Sequence, residues 1–179
     1  MEYIVLGILL YKSMTIYDLN IAFKKGLFLI YSASYGSLQN AVKKLLRNEY
    51  ISFTEKVSNG RNKKIYSITP SGKEYFFEWM HSETEENKLE INVLSKIYFL
   101  GFIENRNEKL EIVDDMISKT EKVCGELSRY YDSLKLMKQR EENKELAKYS
   151  IKTLDYGIMS HKAAIEWLYE LKDEIENGL

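Results

Sequence analysis

Between Asn48 and Pro70 the hydrophobic period of the chain switches from helical to two-fold and back. Before the switch, Ser34 can cap a helix running to about Asn48, with Leu38, Ala41, Val42, Leu45 and Leu46 on one face. From Tyr50 to Val57 the chain alternates, with Ile51, Phe53 and Val57 as the expected inward positions. Ser58-Asn59-Gly60-Arg61-Asn62 is a turn signal, because glycine and asparagine tolerate positive φ. Lys63 to Thr69 alternates again, with Ile65 and Ile68 among its apolar positions. The pattern predicts a β-hairpin. Pro70 suits the first turn of a following helix, Ser71 to Met80, with Tyr75, Phe76, Trp79 and Met80 on its apolar side.

Upstream, Glu2 to Lys12 predicts a buried helix, and Thr15 to about Leu27 a second one with Ile16, Leu19, Ala22, Phe23 and Leu27 at helical spacing. Phe28 to Ala33 is a joint of undefined form. Three helices, a two-stranded hairpin and a helix within the first 81 residues describe a winged helix-turn-helix. The polar stretch HSETEENK, His81 to Lys88, suggests a boundary, so residues 82–179 form a second, helical domain. The expected fold is mainly α with one small β-hairpin.

Charge separates the same two halves. Residues 1–80 hold 11 Lys/Arg and 6 Asp/Glu, whereas the remainder hold 15 and 21. A basic front half points to a polyanionic partner for that half alone. On the third helix the outward set is Ser37, Gln39, Asn40, Lys43, Lys44 and Arg47. Serine, glutamine and asparagine can hydrogen-bond base edges in the major groove, and the cations beyond them can reach phosphates. Arg61, Lys63 and Lys64 would follow the DNA backbone from the hairpin, or place Arg61 in the minor groove. Surface lysines and arginines more often only solvate a face; here their clustering on the two elements that a winged helix presents to DNA favours a nucleic-acid interface.

The segments LGILLYKSMTIYDL, SYGSLQNAVKKLLRNEYI and KKIYSITPSGKEYFFEWM resemble the PadR family of bacterial transcriptional regulators. The tail YGIMSHKAAIEWLYELKDEI is similar to the helical C-terminal domain that the family shares with virulence-activator relatives. The resemblance implies a cytoplasmic homodimer bound to double-stranded DNA through its third helix and wing, with phenolic or other small hydrophobic effectors in some members. By position it implies that Tyr17, Ser34, Tyr35, Ser37 and Lys43 lie at or near the DNA, with Arg61, Lys63 and Lys64 on the wing. Repression, rather than activation, is also what the resemblance implies. Many members carry a Tyr-Pro pair inside the recognition helix where this chain has Gln39-Asn40, so an operator preference does not transfer.

In the back half, Leu110, Val113, Ile117, Thr120, Cys124, Leu127, Tyr131 and Leu134 recur in heptad steps. After the break QREENK, so do Ile151, Leu154, Ile158, His161, Ile165 and Leu168. Such a register predicts dimerisation through these helices, the other solution being a bundle within one chain. Tyr75, Phe76, Trp79, Phe99 and Trp167 could line a pocket for an aromatic effector, although aromatics at this spacing also build cores.

Several classes are disfavoured. The single cysteine, Cys124, makes no internal disulfide and suits a reducing compartment. It falls in the heptad seam, where cysteine behaves as a small hydrophobe. His81 and His161 lack metal-ligand spacing, with His161 expected to be packed and His81 exposed. There is no phosphate-binding glycine loop, nucleophile elbow or zinc signature, so neither an enzyme nor a cofactor is expected. The opening MEYIVLGILLYK lacks a basic leader and cleavage site, and no run approaches the roughly 18 apolar residues of a membrane span. The rival from another class is a winged-helix adaptor that docks on protein and never touches DNA.

Overall fold

The computed structural model describes residues 1–25, 34–58, 61–136 and 144–178. The joint 28–33, the wing-turn residues Asn59 and Gly60, Leu27 and most of the QREENK break lie outside the described residues, as does the side chain of Arg61. The elements are α1 Glu2–Tyr11, α2 Ile16–Lys25, α3 Tyr35–Arg47, β1 Ile51–Ser58, β2 Arg61–Ile68, α4 Pro70–His81, α5 Leu89–Phe99 with a 3₁₀ turn Leu100–Phe102, α6 Arg106–Leu136 and α7 Lys144–Asn177. Among the described residues the fold is mainly helical with one antiparallel hairpin, in the order that the periodicity predicts.

Local capping explains where the front helices start. The Thr15 hydroxyl oxygen accepts from the Asp18 amide at 3.2 Å, and the Asp18 carboxylate accepts from the Thr15 hydroxyl at 2.7 Å. This reciprocal pair satisfies donors that a helix start leaves open. Ser34 caps α3 by accepting from the Ser37 amide at 3.1 Å. Thr69 caps α4 by accepting from the Gly72 amide, and Pro70 takes the first helical position.

The wing is rooted by contacts distant in sequence. The Thr69 amide donates to the Tyr50 carbonyl at 3.0 Å, and the Thr69 hydroxyl donates to the Glu49 carbonyl at 2.8 Å. Glu49 itself adopts φ 59°, turning the chain from α3 into β1. Met14, between α1 and α2, forms an antiparallel bridge with Tyr66, exchanging hydrogen bonds of 3.0 and 2.8 Å. Nothing in the local pattern around Met14 signals this third edge.

The expected alternation of β1 holds only at its base. Ile51 is buried, but Phe53 is 39% and Val57 75% exposed, so their inward placement is corrected. The hairpin extends beyond the core, and its outer residues have no layer to pack against. Tyr66, which pairs with Phe53, is the buried residue of β2.

Contacts group Met1–Glu83 with Glu90–Phe102 as one compact unit, and Thr84–Leu89 with Ile103–Leu179 as the other. Nearly all of α5 thus packs in the first unit although it follows the acidic stretch. Phe99 meets Phe76 edge-on at 5.6 Å and stacks on Phe102 at 6.1 Å. Its ring lies where a Cβ on Gly7 would stand, 2.6 Å away, so glycine lets α1 approach α5.

In the second unit α6 and α7 form a long antiparallel hairpin. Arg106 Nε donates to the Ile175 carbonyl at one end, and Lys172 pairs with Asp114 at 2.6 Å. The heptad residues Val113, Ile117, Thr120, Cys124, Ile158 and Leu168 are buried within this single hairpin. Leu110, Leu127, Tyr131, Leu154 and Ile165 are half-buried. Among the described residues no helix is long and apolar enough to cross a membrane.

Candidate nucleic-acid interface

On α3, Leu38, Ala41, Val42 and Leu45 are buried in the first unit. That packing leaves Tyr35, Gln39, Asn40, Lys43, Lys44 and Arg47 exposed. The expected reader positions Gln39 and Asn40 are therefore open, and Lys43 lies one turn beyond Gln39. Tyr17 on α2 is 68% exposed. Ser34 and Ser37 have local roles: the Ser37 hydroxyl donates to the Ser34 carbonyl at 2.7 Å while the Ser34 hydroxyl caps the helix.

Lys44 is committed within its own domain. Its Nζ lies 2.8 Å from Glu2 Oε1 at the start of α1. The hydrogen bond to Glu2, and then the carboxylate's charge, hold the Lys44 ammonium above its ordinary value. Lys43 and Arg47, the other cations of α3, are exposed.

The hairpin ladder pairs Thr54 with Ile65, Glu55 with Lys64, Lys56 with Lys63 and Ser58 with Arg61. Lys63 and Lys64 are exposed. Lys64 Nζ sits 4.1 Å from the centre of the Phe53 ring, a cation–π contact. Burial raises the Tyr66 phenol above its ordinary value, with a smaller contribution from Tyr35.

Of the five aromatics suggested for an effector, Phe76 meets the rings of both Trp79 and Phe99 within the first unit. Phe76 is fully buried in the core. Tyr75 stacks on Tyr50 at 4.3 Å, and its hydroxyl meets that of Tyr3 at 3.0 Å; Trp79 stacks on Tyr3 at 4.8 Å. Trp167 belongs to the other unit. Phe99 lines a cleft of about 520 Å³ between α1, α2 and α5, together with Gly7, Ile8, Tyr11, Met14, Ala22, Tyr98 and Phe102. Sequence reasoning missed the rest because they come from three separated segments.

His81 is exposed and its Nδ1 is 2.8 Å from the Phe77 carbonyl; His161 is half-buried and Nδ1 is 2.8 Å from the Gly157 carbonyl. Cys124 is buried. Among the described residues no group of three His, Cys, Asp or Glu side chains is arranged to hold a metal ion.

Residues 5–78 match the model of the Transcriptional regulator PadR-like family. The Negative transcriptional regulator PadR of Bacillus subtilis (strain 168) is 26% identical over 137 residues, spanning 75% of this chain and 74% of its own. The crystal structure of Bacillus subtilis PadR in complex with operator DNA shows 23% identity, covering 97% of this chain and 98% of that one, with a TM-score of 0.43. The PadR-like transcriptional regulator BC1756 from Bacillus cereus shows 26% identity over 97% of this chain and 94% of its own, with a TM-score of 0.43. The winged-helix segment, residues 5–78, is thus similar to the PadR-like family of transcriptional regulators.

Proposed function

We propose that the chain is a homodimeric, sequence-specific regulator that binds double-stranded DNA and represses transcription. The observation that carries the reading is the division of α3. Its apolar residues are buried, and Gln39, Asn40, Lys43 and Arg47 remain exposed on the third helix, the one that precedes the wing. Residues 1–81 would contact DNA, with Tyr17, Tyr35 and the wing beside the recognition helix. Repression is supported by the curated relative, a negative transcriptional regulator. The reading is of a non-enzymatic regulator in the bacterial cytoplasm, supported by the similarity of residues 5–78 to a transcription-regulator family.

Within residues 82–179, the part that groups with α6 and α7, Thr84–Leu89 and Ile103–Leu179, would hold the dimer together. Because much of the heptad seam is spent on packing α6 against α7, the surface left for a partner is the other side of α7. Tyr149, Tyr156, Met159 and Trp167 are exposed there. A small flat aromatic effector fits the apolar cleft around Phe99 and Phe102. Binding that favoured one domain arrangement would change DNA affinity by its differential energy, about 1–3 kcal/mol.

The test is a salt titration of binding to duplex DNA. A regulator that neutralises several phosphates loses affinity steeply between low and physiological salt. A winged-helix adaptor for protein would show no such binding, and that result would overturn the reading.

A further inference from the structure

The cations of the wing divide between its two faces. Side chains alternate along a strand, so the ladder sorts them directly. One face carries Ile51, Phe53, Glu55 and, across the ladder, Tyr66 and Lys64. Ile51 and Tyr66 are buried, so this is the face turned to the core. Lys64 belongs to it: its ammonium lies over the Phe53 ring, and its cross-strand partner is the acid Glu55. Lys64 is thus already provided with an aromatic face and a nearby negative charge.

The other face carries Ser52, Thr54 and Lys56 on β1, opposite Ser67, Ile65 and Lys63 on β2. Lys56 directly opposes Lys63, and both are exposed. No ion pair joins either of them to another described residue. Like charges directly opposite one another destabilise a hairpin, with side chains only about 5 Å apart at Cβ. An anion between the two ammonium groups would turn that repulsion into a clamp, and Thr54 and Ser52 supply hydroxyls along the same face. A phosphate diester is an anion that both Lys and Ser/Thr contact.

We propose that Lys56 and Lys63 grip a single phosphate of the duplex backbone from adjacent strands of the wing, and that Lys64 is a structural cation outside the interface. The proposal rests on the DNA-binding reading above and assigns Lys56 a role in it. It also gives the wing an orientation: the duplex lies against the hydroxyl-bearing face and away from Phe53.

The experiment measures the affinity of the full chain for a mixed-sequence duplex from low to physiological salt. Each phosphate contact contributes about 0.9 to the slope of log affinity against log salt. The double variant Lys56→Ala/Lys63→Ala should lower the slope by about 0.9, one phosphate lost, and Lys64→Gln should leave it unchanged. A loss of about 1.8 would overturn the shared phosphate, showing two separate contacts. An unchanged slope in the double variant, or a lowered one in Lys64→Gln, would overturn the assignment while leaving DNA binding intact. Absence of duplex binding by the unsubstituted chain would overturn the DNA-binding reading and this inference together. A second measurement needs no DNA. Lys56→Glu places an acid opposite Lys63 and should raise the melting temperature at low salt, an effect that added salt erases. A melting temperature lowered at low salt would contradict the charge opposition on which the clamp depends.

Discussion

A Cβ on Gly72 would stand 1.9 Å from the Tyr50 carbonyl oxygen. That oxygen also accepts from the Thr69 amide, so the strand entrance, the strand exit and the first turn of α4 meet at one backbone atom. The wing's direction relative to α3 is set there, because Tyr50 follows α3 by three residues.

Gly72→Ala should therefore destabilise the first unit by about 3 kcal/mol, the upper end for overpacking, since backbone cannot step aside as a side-chain tip can. Thermal melting of the variant checks this, and a loss below about 1 kcal/mol would show that α4 slides freely at its start.

The Glu2–Lys44 pair predicts that two neighbouring lysines behave differently. Lys43→Ala should flatten the salt dependence of DNA binding more than Lys44→Ala, because Lys44 is already paired with Glu2. Glu2→Gln should release Lys44 and strengthen duplex binding at low salt. Because the folded state holds Lys44 above its ordinary value of 10.5, the pair's contribution to stability is fully present below that value. It is lost only as pH rises through the raised folded value, so the difference between wild type and Lys44→Ala in melting temperature should not change from neutral to mildly alkaline pH. Equal flattening by both lysine variants would contradict the account.

A ligand for the cleft should be recognisable by stabilisation. A small aromatic acid that binds there raises the melting temperature, by the equivalent of about 2.7 kcal/mol at a hundredfold excess over Kd. Ala22→Trp fills the cleft and should abolish that shift while leaving the fold intact. A shift that survives in Ala22→Trp would place the ligand elsewhere.

The two faces of α7 predict opposite phenotypes. Trp167→Glu or Tyr156→Glu should convert a dimer to a monomer while the helical signal persists, because both residues are exposed on the single chain. Ile158→Asp buries an unpaired charge between α6 and α7 and should unfold the hairpin outright. Sedimentation velocity with circular dichroism separates the cases. A dimer that withstands both surface charges would contradict use of that face.

The sequence made local features legible and left the long-range ones open. Ser34 as a cap and Pro70 as a helix start each follow from neighbours within a few residues. Ile65 and Ile68 could not fix the register of β2, because residues three apart point to opposite faces of a strand. The buried position fell to Tyr66, held by Met14 from 52 residues away. Lys44 resembled its neighbour Lys43 until Glu2, distant in the chain, was seen to hold it. The heptads of α6 and α7 correctly announced a helical seam. A repeat of apolar residues does not state whether its partner lies in the same chain, and here much of it is met within one hairpin.

The most direct test selects duplexes from a random pool at physiological salt and compares the wild type with Gln39→Ala and Asn40→Ala. Paired recognition helices predict two symmetric half-sites about 34 Å apart, and each substitution should relax preference at particular base pairs by about 1–3 kcal/mol. Recovery of no shared sequence, or a loss of affinity spread evenly over all duplexes in both variants, would contradict the assignment of α3 as the element that reads DNA.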